Sequence, residues 1–426
     1  MIVFLIVALS IIAGERNLKD LEIESSNIQV VCNIGKGAFG QVQKCCWNGN
    51  PFAMKTVLSE TVEEDILEPK ESRVNKIMKA VNDPKNELEI VLSLNHENII
   101  KFDAYWKSVA DCDTVDDVFI TNNCYNFLME LCDSDAAVFF SKKEIYELSF
   151  EKQRELLKSF VSQILNAVVY IHAKGISHLD IKPANILVKM ENEKPIFKLA
   201  DFGIATRDEE TSAKGTAKYF PVDMYSSWVE HKFLKHVLKI IKDMKKCHTQ
   251  CPAKLRIKHR NSIVEFLKII SNFDSLNENV YINPIKQLIA EEQDNGQFFA
   301  KLDKMISPRK SLWLSRATYL ESIKYESKSV DIYELGKSIL YIANALDEKL
   351  PIKPFLKLHP EEDAVLAYCF HEGTAKEPTD NSFETSKIES FKTDLEFQNL
   401  INHMLNCNSL RRPTALDLSN SEWLIQ

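Results

Sequence analysis

Two short runs hold the residues most able to do chemistry: His178-Leu179-Asp180-Ile181-Lys182-Pro183-Ala184-Asn185 and, sixteen residues beyond Asn185, Asp201-Phe202-Gly203. Between them they offer a carboxylate to stand beside an attacking hydroxyl, and an amide and a second carboxylate as oxygen ligands for magnesium. Phosphoryl transfer needs little more than that. A third run lies upstream. In Gly35-Lys36-Gly37-Ala38-Phe39-Gly40-Gln41-Val42 the glycines let a hairpin backbone lie directly over phosphates, because no Cβ blocks the approach. Thirteen residues after Val42, Phe52-Ala53-Met54-Lys55 ends in a lysine that can reach those phosphates if an acid holds it, and Glu87 is the candidate acid. Taken singly, each of these charges reads as a solvated surface group. Their order along the chain argues for one site.

These residues need elements to position them. Short β-rich runs from Ile28 to Val57, punctuated by glycine and by Asn48-Gly49-Asn50, predict antiparallel strands. The glycine run therefore sits between two strands. That placement excludes a dinucleotide fold, in which the same spacing opens a helix. From Glu87, Leu88, Val91 and Leu94 recur at helical spacing until Asn95-His96-Glu97-Asn98 breaks the pattern, so one helix crosses the sheet. Phe119 to Leu131 returns to strand-like composition and leads into the polar Cys132-Asp133-Ser134-Asp135, a hinge. Glu151 to Ala173 places Leu156, Leu157, Phe160, Val161, Ile164, Leu165, Val168 and Ile171 on one face, with Lys174-Gly175 as the stop. This predicts a long, mostly buried helix. Further amphipathic runs fall near 231–246, 262–273, 332–345 and 395–406. The expected fold class is α+β, a small β-rich part followed by a larger helical one.

With these motifs in this order, the chain resembles the eukaryotic protein kinase superfamily from about Val30 to Leu424, with one interruption. The resemblance implies a bilobal kinase domain over 28–426, with an N-lobe at 28–131 and a C-lobe at 132–426. It implies ATP and Mg2+ as cofactors and transfer of the γ-phosphate to protein substrates. By the same resemblance Ile34, Gly35, Gly37 and Gly40 would cover ATP, with Val42 and Ala53 against the adenine. Lys55 paired to Glu87 would hold the phosphates, Met129 would guard the back of the pocket, and Glu130 to Cys132 would be the adenine-binding hinge. Asp180 would be the catalytic base, Lys182 would neutralise the γ-phosphate, and Asn185 and Asp201 would bind Mg2+. Lysine two positions after Asp180, and Gly215-Thr216-Ala217-Lys218-Tyr219 as a substrate-docking segment, are similar to serine/threonine kinases. The 178–185 run is similar to cell-cycle kinases.

Three departures stand out. Leu179 occupies the place of the arginine that, in the family, reads a phosphate on the activation segment, so activity is expected not to need that phosphate. Pro221-Val222-Asp223 stands where the family has Ala-Pro-Glu, which makes Asp223, or Glu321 in competition with it, the expected partner of Arg412. About a hundred residues then separate Asp223 from Asp331-Ile332-Tyr333-Glu334-Leu335-Gly336, the start of the helix whose aspartate braces the catalytic loop in the family. A helical insertion at about 224–320 is the expectation, with a helix over His231 to Lys246 that packs on Ile263 to Ile270 and carries lysines on its other face. That face makes the insertion a candidate for partner docking.

Composition bounds the rest. Apolar content of 45% is globular, and a net charge of −8 argues against a nucleic-acid binder. Ten cysteines without regular spacing predict reduced thiols; Cys247, His248 and Cys251 lack a second ligand pair to complete a zinc site. Residues 1–14 are apolar but too short to span a bilayer. They leave two localisations open: secretory or membrane, if they act as a signal or anchor, and cytoplasmic or nuclear, if they pack as an arm. Two other functional readings accompany the enzyme: a pseudokinase scaffold, and a secreted or membrane-tethered effector kinase.

Overall fold

The structure, a computed structural model, describes residues 22–23, 27–37, 40–62, 84–115, 118–246, 253–270, 279–348, 394–406 and 408–425. The apolar segment 1–14 and the group Cys247, His248 and Cys251 lie outside the described residues. Two compact units divide the chain. The first is Met1–Glu209 with Glu334–Pro354 and Pro413–Gln426, and the second is Glu210–Tyr333 with Phe355–Arg412.

In the first unit β1 (Ile28–Gly37), β2 (Gly40–Trp47) and β3 (Asn50–Val62) follow one another as antiparallel hairpins. Asn48 and Gly49 connect β2 to β3 at φ 50° and 79°. Asn-Gly is the pair that tolerates this left-handed two-residue turn best. Helix α1 (Pro84–Leu92) follows, ending two residues short of the expected Leu94. Strands β4 (Phe102–Val115) and β5 (Val118–Glu130) complete a five-stranded sheet in the order β1-β2-β3-β5-β4. Alternation along β3 decides what faces α1. Met54 packs with Cys45, Ala104, Trp106 and Leu128, whereas Val57 packs with Leu88 and Leu92 of α1. Lys55, two residues before Val57, thus shares the helix side.

Past the sheet come β6 (Ser134–Asp135), α2 (Ala136–Phe140) and α3 (Lys143–Tyr146), with the Asp135 side chain accepting from the Val138 N–H at the start of α2. Helix α4 (Phe150–Ala173) is capped by Ser149, and Gly175 at φ 69° releases the chain just beyond it. Its apolar stripe, Leu157, Phe160, Val161, Ile164, Leu165, Val168 and Ile171, is buried. Strands β7 (Ile186–Glu191) and β8 (Lys194–Leu199) join β6 in a three-stranded sheet, so the two chemical runs lie on either side of one hairpin.

The second unit opens with β9 (Glu210–Thr211) and a short 3-10 turn at Ala217–Tyr219. Among the described residues five helices follow: α5 (Val222–Lys246), α6 (Ala253–Ile270), α7 (Asn283–Glu291), α8 (Asn295–Ile306) and α9 (Lys310–Ser322). They close on a core of their own, in which Phe233, Leu234, Val237 and Ile240 of α5 meet Ile263 and Leu267 of α6, Phe298 and Leu302 of α8, and Trp313 and Ala317 of α9. The expected packing of α5 on Ile263 to Ile270 is present. Glu230 of α5 and Arg316 of α9 form a two-pronged ion pair at 2.9 and 2.8 Å, and the His231 Nδ1 donates to the Ala317 carbonyl at 2.8 Å. The chain then forms β10 (Tyr325–Glu326), which pairs antiparallel with β9, and α10 (Ser327–Glu348), whose residues from Glu334 onward belong to the first unit. Helix α11 (Leu395–Met404) is followed in the first unit by α12 (Ala415–Ser419) and α13 (Glu422–Ile425). Trp423 of α13 is buried, with Arg154 and Lys158 of α4 over its ring. Arg412 of the second unit donates to the Ser329 carbonyl and hydroxyl and to the Asn406 carbonyl, and lies 4.9 Å from the Tyr333 ring centre. The fold is α+β, a sheet-rich N-terminal region and a mainly helical remainder, as the sequence leads one to expect.

Candidate active site

Sheet register brings the first part of the site together. Gly35 pairs with Val42 and Val42 with Lys55, so the glycine run lies two strands from the lysine; Ala53 pairs with Met129 on the next strand. Gly37, at the end of β1, pairs with Gly40, at the start of β2. Ile34 is half exposed at this edge, whereas Ala53 and Lys55 are buried.

The Lys55 Nζ lies 2.6 Å from Glu87 Oε1 on α1 and 2.7 Å from Asp201 Oδ1 beyond β8. One cation thus joins sheet, helix and the 201–203 run. Burial pulls the Lys55 ammonium down, but the two carboxylates outweigh it and raise it above the usual lysine value. Burial likewise pushes the Asp201 carboxyl up, and Lys55 with its hydrogen bond brings it to below the ordinary aspartate value. Asp201 is therefore an anion at neutral pH. At Glu87 burial prevails over Lys55, and its carboxyl lies above the ordinary value.

The second part is the 178–185 loop. Asp180 is buried, its Oδ2 accepting from the Lys182 Nζ at 2.7 Å and from the Asn185 Nδ2 at 2.9 Å. The same Asn185 nitrogen donates to the Asp180 carbonyl. The asparagine therefore turns its amide oxygen away from Asp180, as the atom available to a cation. Paired with the ionised Asp201 it is an oxygen donor set suited to a hard divalent ion.

Backbone contacts lock the two parts to each other. The Asp180 N–H donates to the His178 Nδ1 at 3.3 Å, so the Nε2 carries the ring proton and donates to the Ala200 carbonyl at 2.9 Å. The Ala200 N–H in turn donates to the Asn185 carbonyl. Leu179 and Asp201 flank this clamp, both at φ 65°. Left-handed backbone at such residues costs about 1–3 kcal/mol each, and the surrounding bonds hold it.

Two further residues support the loop, and the sequence reading did not pick out either. The fully buried Glu334 of α10 accepts from the Ile181 N–H through Oε2 at 2.8 Å, and the buried Ser338 one turn on donates to the Ile181 carbonyl at 3.1 Å. Both polar groups of the residue after Asp180 are thus held from one helix. The signal was present as Glu334 and Ser338, four residues apart in a helix whose neighbours Leu335, Ile339 and Ile342 are apolar.

At the end of β5, the Glu130 side chain meets cations of β7 and β8. It accepts from the Lys101 N–H at 2.8 Å and pairs with Lys189 and Lys198 at 2.9 and 3.0 Å, which together outweigh burial and lower its carboxyl. Burial pushes the Cys132 thiol up to about 12, so it is neutral. A cavity of about 230 Å³ opens beside this cluster, lined by His96, Lys101, Glu130, Lys189 and Lys198.

Residues 28–228 match the family described as Protein kinase domain. The chain is 30% identical over 196 residues to the cytokinesis protein sepH of Aspergillus niger, which covers 43% of this chain and 12% of that protein. It is 29% identical over 222 residues to the interferon-induced, double-stranded RNA-activated protein kinase of Rattus norvegicus, over 49% of this chain and 38% of that protein. Against MAP3K epsilon protein kinase 1 of Arabidopsis thaliana the identity is 32% over 180 residues, 42% of this chain and 11% of that one. The match thus spans well under half the length of each relative. The family match stops seven residues into α5.

Proposed function

This chain carries a protein kinase domain of the eukaryotic superfamily, and we propose that it transfers the γ-phosphate of ATP to serine and threonine hydroxyls of protein substrates. The observation that supports this most is the single cation Lys55 shared by Glu87 and Asp201, because it sets phosphate binder and metal ligand in one place.

In this reading the glycine run lies over the nucleotide, Val42, Ala53 and Met129 hold the base, and the backbone of Glu130 to Cys132 pairs with its edge. Lys55 binds the phosphates. Asn185 and Asp201 hold Mg2+, which when bound offsets charge on the transferring phosphoryl group. Asp180 accepts the proton of the substrate hydroxyl. Its near-complete burial keeps bulk water off that carboxylate, and Lys182, already within hydrogen-bond reach, is placed to meet the incoming negative charge. Residues 224–320 are read as an insertion into the domain, carried by helices α5 to α9.

Regulation follows from two positions. Leu179 is fully buried and apolar where the family holds an arginine, and Thr211 is buried in the β9–β10 pair with its hydroxyl turned to the Ser212 carbonyl. Neither offers a phosphate a place. The full chain, stripped with phosphatase and given γ-labelled ATP, Mg2+ and a library of serine, threonine and tyrosine peptides, is expected to label serine and threonine at an unchanged rate. No labelling by the untreated folded chain would end the enzymatic reading. Loss on stripping that a Thr211→Glu or Ser212→Glu variant restores would end the regulatory one.

Glu334 acts through the loop it braces. Glu334→Leu removes the acceptor for Ile181 and leaves that buried N–H without a partner, worth roughly a 10- to 100-fold fall in kcat. The KM for ATP is expected to stay within twofold, and Glu334→Gln, which keeps an acceptor oxygen, to recover most of the rate. A Leu variant with wild-type kcat would show that Glu334 does no positioning.

A further inference from the structure

Helix α5 is the direct continuation of the segment Gly215 to Phe220: the 3-10 turn at Ala217–Tyr219 ends at Phe220, and the Tyr225 N–H donates to the Pro221 carbonyl as α5 begins. Along α5, Lys232, Lys235, Lys239, Lys242 and Lys246 recur at intervals of three and four residues, which is one stripe on a helix. Lys232, Lys235, Lys239 and Lys242 are exposed. Lys235 has Glu321 at 4.0 Å; among the described residues no carboxylate lies within ion-pair distance of Lys232, Lys239 or Lys242. The stretch 222–270 holds eleven Lys and Arg against four Asp and Glu, in a chain of net charge −8. One of those four, Glu230, is buried against Arg316. A concentrated positive surface therefore adjoins the substrate-docking segment.

We propose that this stripe binds an acidic segment of the protein substrate, at a distance from the residue that receives the phosphate. The proposal rests on the kinase reading, since it takes Gly215 to Tyr219 as the docking segment. At 1.5 Å per residue the exposed part of the stripe, Lys232 to Lys242, begins about 15 Å along α5 and ends about 30 Å along it. An extended peptide covers that distance in roughly five to nine residues. Two other anionic partners fit less well. A membrane would need an apolar face to insert, and that face of α5 is closed into the core with α6, α8 and α9. A nucleic-acid backbone would meet Glu321 and Asp303, which flank the stripe beside Lys235 and Lys245.

The test uses the full chain and two serine peptides identical except for a block of four glutamates or four glutamines, placed five to nine residues from the serine on either side. Fluorescence anisotropy without ATP gives Kd, and steady-state assays give KM and kcat. For the glutamate peptide Kd and KM are expected to be at least about tenfold lower than for the glutamine peptide at low salt, four exposed pairs each contributing modestly. The difference should collapse as salt rises. A chain carrying Lys232→Glu, Lys235→Glu, Lys239→Glu and Lys242→Glu should lose the preference yet keep its kcat and KM for the glutamine peptide, which doubles as proof of folding. Should the fourfold variant misfold, Lys239→Gln with Lys242→Gln should halve the preference on a logarithmic scale. Equal binding of the two peptides by the wild type, a preference that survives in the variants, or tighter stripe-dependent binding of duplex RNA or phosphatidylserine vesicles would each overturn the proposal. Absence of phosphate transfer by the wild type alongside intact glutamate-selective binding would instead count against the kinase reading.

Discussion

Asp180→Asn is expected to lower kcat by about 100- to 10,000-fold, the range lost when a positioned general base is removed. The KM for ATP should move little, because the groups proposed to hold the nucleotide, Lys55 and Asp201, are untouched. The substitution is close to isosteric. Asn185 can still donate to the new side-chain oxygen, and the Asp180 N–H bond to His178 is backbone and persists. A melting temperature within a degree or two of wild type, with the rate collapsed, is the result anticipated from paired calorimetry and steady-state kinetics. A variant retaining more than a tenth of the wild-type kcat would mean that Asp180 is not the base.

Lys55→Met should abolish turnover and also weaken the fold, in a way that depends on pH. Removing the ammonium leaves the buried Glu87 carboxylate without its counter-charge and takes from the partly exposed Asp201 its nearest one, a loss of about 3–5 kcal/mol at neutral pH. Burial already holds the Glu87 carboxyl above its ordinary value even with Lys55 beside it. Without Lys55 it rises further. A carboxyl whose folded-state pKa exceeds its unfolded one binds more protons in the folded state, so its stabilising effect is present at low pH and disappears as pH climbs through the folded value. The variant should accordingly melt furthest below wild type near pH 8 and approach it near pH 5. Asp201 works the other way in the wild type: lowered by Lys55, it adds stability above the unfolded aspartate value, lost as pH falls through the folded one. A melting difference that stayed constant from pH 5 to 8 would show that the two carboxylates are not coupled through Lys55.

How much of this was legible in the sequence follows physical lines. The chemical residues were readable because phosphate, cation and hydroxyl each restrict the side chains that serve them, and their spacing survives in one dimension. The Asn48-Gly49 turn and the α4 stripe were readable because backbone conformation and burial periodicity are local properties. Glu334 was not, since its value lies in reaching the Ile181 N–H, 153 residues away in sequence. The β9–β10 pair was invisible for another reason: two residues on each side carry no alternation to detect. The lysines partnering Glu130 were hidden likewise, their pairing being set by how β7 and β8 lie against the end of β5. Helix α9 shows only Trp313, Ala317 and Leu320 as buried apolar positions, too thin a pattern to mark a helix beforehand.

The first and last helices of the 222–322 run meet side by side, clasped by Glu230 with Arg316 and by His231 with Ala317. Whatever length of chain lies beyond that clasp leaves the root where it is, and doubling a flexible loop costs only about 0.6 kcal/mol. Natural variation and engineered cargo alike should therefore accumulate at the far end of this hairpin of helices, while its base stays fixed.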